Sequence, residues 1–152
     1  MIVSSASSTE IELNELNETY PNEIQYISTL TPSQEGMYAQ YFQNRDTKTY
    51  QLQNVTKISK EADIEVLRKS VEMLSVRHEV LKSAFTVLKS TGAIKQVILE
   101  NRKPEFSTIS LNEKFNQEIL NKLVNEDLEK ALDLQKDSLF RVTVIDFKEE
   151  RY

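Results

Sequence analysis

A chain of 152 residues is the size of one ordinary domain; lacking cysteine and holding a single histidine, it excludes disulfide frameworks, cysteine zinc sites and His-rich metal centres. The formal net charge of −5 resides in residues 1–25, which carry Glu10, Glu12, Glu15, Glu18 and Glu23 and no lysine or arginine. A neutral body with an acidic end argues against nucleic-acid binding and points to a protein partner.

Several further classes fall away. No apolar run approaches membrane-spanning length, and the N-terminus lacks the basic start and apolar block of a secretory signal. Metal binding by carboxylates alone remains open, but no loop has calcium-binding spacing, and no metal-ligating residue is assigned. The absence of cysteine fits a reducing cytoplasm, the expected location.

Residues 1–25, rich in Ser, Asn and Glu, read as a mobile leader, in which "IELNEL" could order on binding. Organised structure is expected from "YISTLTPSQEGMYAQYF". Thr31 suits a helix cap, Pro32 the first helical position, and Gln34 the return bond of a capping box. Met37, Tyr38, Tyr41 and Phe42 then share one face. Gly36 in an early turn costs roughly 1 kcal/mol relative to alanine. It is either simply tolerated or marks a close approach to the backbone.

"TYQLQNVTKI" reads as a strand. In "ADIEVLRKSVEMLSVRHEVL", Asp63 is the expected N-cap, and Ile64, Leu67, Val71, Leu74, His78 and Leu81 form one apolar stripe. "SAFTVLKSTGAIKQVILE" predicts a hairpin turning at Ser90-Thr91-Gly92. A short strand, "EFSTISL", follows Pro104. Phe115, Ile119, Leu123, Val124 and Leu128 then define a second amphipathic helix, and "SLFRVTVIDF" a last strand. Helices interspersed with strands predict an α/β class, an α+β-like two-layer arrangement of helices on a mixed sheet.

Intrinsic chemistry finds little support in these residues. His78 lies on the stripe with Leu74 and Leu81, which predicts a packed core histidine; nearby Ser75 and Ser83 lack a nucleophile-elbow context. Arg77 neighbours the stripe on a face with Val66, Ser70 and Met73, and a guanidinium at a core margin needs a carboxylate. The acidic residues of "NEDLEKALD" and "KEERY" read as solvated faces. With only Gly36 and Gly92, no phosphate-binding glycine loop can form.

Three segments carry a resemblance. "LTPSQEGMYAQYF" (30–42), with Thr31, Pro32, Gln34, Glu35, Gly36, Met37 and Tyr38, resembles the first signature of condensation domains of nonribosomal peptide synthetases. "RHEVLKSAF" (77–85), with Arg77, His78, Glu79, Leu81 and Phe85, is similar to the second, R-H-E-x-L-R-T-x-F. "LDLQKDSLFRVTVI" (132–145), with Asp133 and Arg141, resembles the lead into the third. The three occur in the family's order and spacing over residues 26–152. Lys82 and Ser83 replace the usual Arg-Thr, Leu132 the usual Phe, and Ser138 the usual Pro.

The family's catalytic signature, H-H-x-x-x-D-G, does not occur in residues 1–152. The resemblance therefore implies the N-terminal lobe of a chloramphenicol-acetyltransferase-like acyltransferase fold, cut short, supplying a scaffold but no catalytic residue and inactive alone. The parent would join aminoacyl or peptidyl groups carried on the phosphopantetheine arms of donor and acceptor peptidyl carrier proteins, as in peptide antibiotic biosynthesis. No cofactor of its own is expected.

The resemblance pairs Arg77 with the aspartate of the absent signature, so Arg77 is expected to be solvated or to hold a substitute carboxylate. The other expected partners are the missing C-terminal lobe and, through residues 1–25 as a docking segment, an upstream synthetase. Self-association through the apolar edge of the last strand (Phe140, Val142, Val144) is also expected. The alternatives are an epimerisation or heterocyclisation relative, an ester-forming acyltransferase, and a non-catalytic interaction module.

Overall fold

A computed structural model describes residues 7–43 and 50–152. Ten elements follow in order: α1 (Ser8–Thr19), β1 (Ile24–Thr29), α2 (Pro32–Gln43), α3 (Ile64–Arg77), a 3-10 turn (Glu79–Lys82), β2 (Ser83–Val87), β3 (Ile94–Leu99), β4 (Glu105–Ser110), α4 (Gln117–Leu128) and β5 (Arg141–Asp146). The class is mixed helix and sheet, as the sequence predicts. The strands divide between two sheets: an antiparallel sheet of order β1-β3-β2 and a parallel pair, β4-β5. Parallel strands need a long crossover; here α4 lies within it.

Each sheet has its own core. Leu16 and Tyr20, in and just after α1, bury against Ala84, Leu88, Val97 and Leu99 of the antiparallel sheet. Leu120 of α4 packs with Ile145 and Phe147 beside the parallel pair. Phe115 meets the Phe147 ring edge-on and stacks on Tyr152, both with ring centres 5.4 Å apart.

The leader reading gives way here. Residues 1–6 lie outside the described part, but Ser8–Thr19 is a docked helix. Ser7 and Glu10 form a complete capping box, and the Glu12–Lys95 ion pair joins α1 to β3 at 2.9 Å. Glu15 accepts from the backbone amides of Lys89 and Ser90 at the hairpin turn, and the Lys89 amide holds its carboxyl below the usual glutamate range. Polar composition hides this helix because Leu16 and Tyr20 alone do the burying.

The strand expected over 49–58 does not form; Thr49 lies outside the described residues, and the rest is irregular, with one backbone bridge, Ile58 to Arg151. Gln53 finds α4 instead, its Nε2 donating to the carbonyl of Val124 at 3.0 Å and to Asp127 Oδ2 at 3.2 Å. The predicted hairpin forms, with Gly92 at φ +72°, in the left-handed region.

The chain end folds back on β5. Ile145 and Tyr152 exchange both backbone bonds, at 2.8 and 2.9 Å. Alternation then turns the amides and carbonyls of Arg141 and Thr143 to the same outer edge. That edge borders a groove of about 440 Å³ whose lining includes Leu52, Val55, Leu123, Val142 and Tyr152. Arg151 is 8% exposed and grips Asp146 and the carbonyl of Ala62.

Candidate functional site

The three signature segments converge on one cavity. Gln34, Met37, Tyr38 and Tyr41 come from α2, Phe85 from β2, and Leu132, Leu134 and Leu139 from the loop before β5. Its volume is about 250 Å³, with Tyr50 and Gln51 closing one side. The walls are mainly apolar and aromatic, with hydroxyl and amide groups at the margins, which suits an apolar group bearing a polar end.

The first signature starts as its sequence dictates. Gln34 N donates to Thr31 Oγ1 at 3.4 Å, and Gln34 Oε1 accepts from Thr31 N at 2.8 Å. Pro32 opens the helix, and Glu35 lies in its first turn, where a carboxylate complements the helix dipole. Gly36 is exposed, and a Cβ built there meets nothing within 4 Å. The close approach considered for Gly36 is absent; the space beside it is open.

The second signature straddles a helix end. Asp63 caps α3 by accepting from Glu65 N and Val66 N, and the helix runs to Arg77. His78 is the C-cap, with φ −119° and ψ 88°, and its side chain is exposed. The core assignment of His78 is therefore overturned. Leu74, on the same stripe inside α3, is itself 43% exposed, so the end of the stripe already faces solvent, and past Arg77 the backbone leaves the helix altogether. Val71 and Ser75 are the buried α3 residues.

Arg77 is solvated, with no carboxylate partner among the described residues. The face it shares with Val66 and Met73 points outward, those two being 60% and 71% exposed. Glu79 accepts from Gln25 Nε2 at 2.8 Å, and the same amide's oxygen accepts from Lys82 Nζ at 2.9 Å. Gln25 on β1 thus joins both ends of the 3-10 turn, and Lys82, in the place of the usual arginine, is buried. Leu81 is half-buried. The amide of Phe85 donates to the carbonyl of Leu134 at 2.9 Å, tying the second signature to the third.

In the third segment, Asp133 folds the loop on itself. Its Oδ1 accepts from Gln135 N and Lys136 N at 2.9 and 3.3 Å, and Asp137 Oδ2 accepts from Asp133 N at 2.8 Å. Arg141 is nearly buried beside Asp127. The Nε–Oδ1 approach of 2.9 Å is off-line for a hydrogen bond and acts as an ion pair, while one terminal nitrogen donates to the Asp127 carbonyl at 2.9 Å. Asp127, read from sequence as solvated, is a structural anion at the C-terminal end of α4.

Two residues outside the signatures complete the site. Arg102 donates to the carbonyls of Ser83, Gln135, Lys136 and Asp137, at 2.8 to 3.0 Å. Burial pulls its pKa down from the usual arginine range, against the opposing charges of Tyr20 and nearby acids. Gln96, in mid-β3, bonds to Gln34 and Ser83. Neither carried a local motif; an uncharged polar residue in mid-strand, inside "AIKQVIL", was the available signal for Gln96.

A chain of this topology, with these three segments around one cavity, belongs to the Condensation domain family, whose sequence profile matches residues 24–152. It is 28% identical over 144 residues to bacitracin synthase 3 of Bacillus licheniformis, a match covering 93% of this chain and 2% of that protein. The fold is that of the starter condensation domain of rhizomide synthetase, with TM-score 0.69 and 13% identity over 84% of this chain and 32% of that one. The epimerization domain from the third module of tyrocidine synthetase B shares it too, with TM-score 0.62 and 19% identity over 82% of this chain and 28% of that one. The chain thus spans a small fraction of that synthetase and about a third of the compared domains.

Proposed function

We propose that residues 26–152 form the N-terminal lobe of a peptide-bond-forming condensation domain. The observation that carries this reading is the meeting of all three signature segments around one cavity. In the proposed reaction the amine of an acceptor aminoacyl group attacks the donor thioester carbon. A C–N bond forms, the C–S bond breaks, the thiol leaves, and the amine gives up a proton.

The donor and acceptor groups ride on phosphopantetheine arms of carrier proteins, and the lobe itself holds no cofactor. The catalytic histidine and the aspartate for Arg77 would come from a C-terminal part carrying H-H-x-x-x-D-G. The exposure of Arg77 supports this, because it is free to meet an incoming carboxylate. The setting is the cytoplasm; no helix among the described residues is long and apolar enough to cross a membrane.

The test is reconstitution. Residues 1–152, alone and joined to a polypeptide carrying the signature, are mixed with loaded donor and acceptor carriers. Amide product is expected only from the joined form; its absence there, with both carriers loaded, rejects the reading. A D-configured aminoacyl carrier without amide would favour epimerisation instead, a reading that the tyrocidine neighbour motivates.

Two partner roles accompany this reading. The outer edge of β5 at Arg141 and Thr143 would pair with another copy when the chain stands alone, so sedimentation should show concentration-dependent association. Residues 1–25 would receive an upstream synthetase. With Leu16 and Tyr20 packed inward, the surface offered includes Ile11, Leu13 and Glu18. Equal transfer from the upstream carrier after Ile11→Asp and Leu13→Asp substitution would reject it.

A further inference from the structure

α2 carries most of the first signature and four of the ten residues that line the cavity, yet none of its residues is buried. A helix is normally seated by an apolar stripe. Here the seat includes a chain of polar contacts that runs through Gln96. We infer that Gln96 is a positioning residue, which sets α2 against the antiparallel sheet and so fixes the shape of the cavity. The inference rests on the condensation reading for its functional meaning and on geometry alone for its structural content.

The chain of contacts has one direction. Thr31 N–H can only donate, so the side-chain atom of Gln34 that faces it must be the oxygen, at 2.8 Å. The amide nitrogen of Gln34 therefore points the other way and donates to Gln96 Oε1 at 3.3 Å. That leaves Gln96 Nε2 to donate to Ser83 Oγ, at 2.8 Å. Ser28 Oγ adds a longer contact of 3.5 Å to Gln96 Oε1. Reversing either amide would set donor against donor at Thr31 or at Gln96.

Position 96 suits the task. Its backbone neighbours in the ladder are Ser28 on β1 and Phe85 on β2, so it stands in the middle strand. Val97 and Leu99 belong to the core shared with α1, so by alternation Gln96 projects to the opposite face, where it meets α2. One side chain thereby registers the first signature (Gln34) to the second (Ser83). Hydrogen bonds in such a directed series reinforce one another.

The experiment compares hydrogen exchange in residues 1–152 with the Gln96→Leu, Gln96→Glu and Gln34→Leu variants. Leucine keeps the volume and removes the bonds to Gln34 and Ser83 along with the longer contact to Ser28. Glutamate keeps the acceptor for Gln34, and the Ser83 hydroxyl can turn to donate. In Gln96→Leu, amides of residues 33–43 should exchange roughly tenfold faster while those of α4 and β5 hold, the scale set by one or two lost hydrogen bonds. Gln34→Leu, at the α2 end of the series, should do the same, and Gln96→Glu should restore protection.

Unchanged α2 exchange in both leucine variants overturns the inference. So does equal acceleration in every element, or a glutamate variant as impaired as leucine. The readout uses no carrier or substrate, so its failure leaves the condensation reading standing. Failure to make amide in reconstitution likewise leaves the exchange result intact.

Discussion

Tyr20 and Arg102 donate to the same oxygen, the carbonyl of Gln135, at 3.1 and 3.0 Å. The tyrosine follows the first helix and the arginine follows β3, yet they meet on the loop that carries the third signature. Through that atom, the N-terminal helix and the β3–β4 connection hold one wall of the cavity.

Arg102→Ala should therefore destabilise the chain by about 2 kcal/mol, because it removes charge-assisted bonds to four carbonyls, some of which water can re-satisfy. Arg102→Lys should recover only part of this, since an ammonium is a point donor and the guanidinium a planar fork. Urea unfolding of the two variants checks the order.

Tyr20 gives an alkaline signature. Burial pushes its phenol up to about 12, with the Arg102 charge opposing. The neutral form is thus favoured in the fold, so the contribution is intact below the unfolded value of about 10 and is lost as pH rises from there through about 12. Unfolding midpoints measured over that window should fall in the parent and fall less in Tyr20→Phe.

Asp146 gives the acidic counterpart. The hydrogen bond from Arg151, assisted by Lys60, holds its carboxyl below the usual range. A depressed carboxylate stabilises above its unfolded value, and that stability is lost as pH falls below about 4. Asp146→Asn should flatten the acid limb of the stability profile and raise the exchange rate of the Ile145 and Tyr152 amides.

Gly36→Ala should leave the fold intact and stabilise α2 by up to about 1 kcal/mol, since the added methyl enters open space and lowers the entropy of the unfolded chain. A rise in thermal midpoint checks this. A loss of stability would show that the backbone there needs the freedom of glycine.

What the sequence made legible was whatever short-range chemistry decides. Asp63, the Thr31–Gln34 box and the Gly92 turn were readable because each satisfies backbone groups within a few residues. α1 carried the same kind of mark, Ser7 and Glu10 three apart, but its polar composition outweighed it. His78 was misplaced because the apolar stripe turns to solvent by Leu74 and the helix ends at Arg77, and periodicity shows neither. The expected strand at 49–58 failed on a tertiary matter: Gln53 bonds α4, and the described backbone from residue 50 is left with a single bridge. Arg102 and Gln96 act only through residues far along the chain, and no local pattern announces such a partner.

The contact between Glu15 and the hairpin turn has a consequence for synthesis. Its partner amide at Lys89 lies 74 residues further along the chain. At ribosomal rates of about 5–20 residues per second, α1 emerges some 4 to 15 seconds before the turn it caps. Through that interval Leu16 and Tyr20 have no sheet to cover them. Docking of α1 thus waits for the β2–β3 hairpin, and a nascent chain stalled before residue 89 should display the helix to chaperones and proteases.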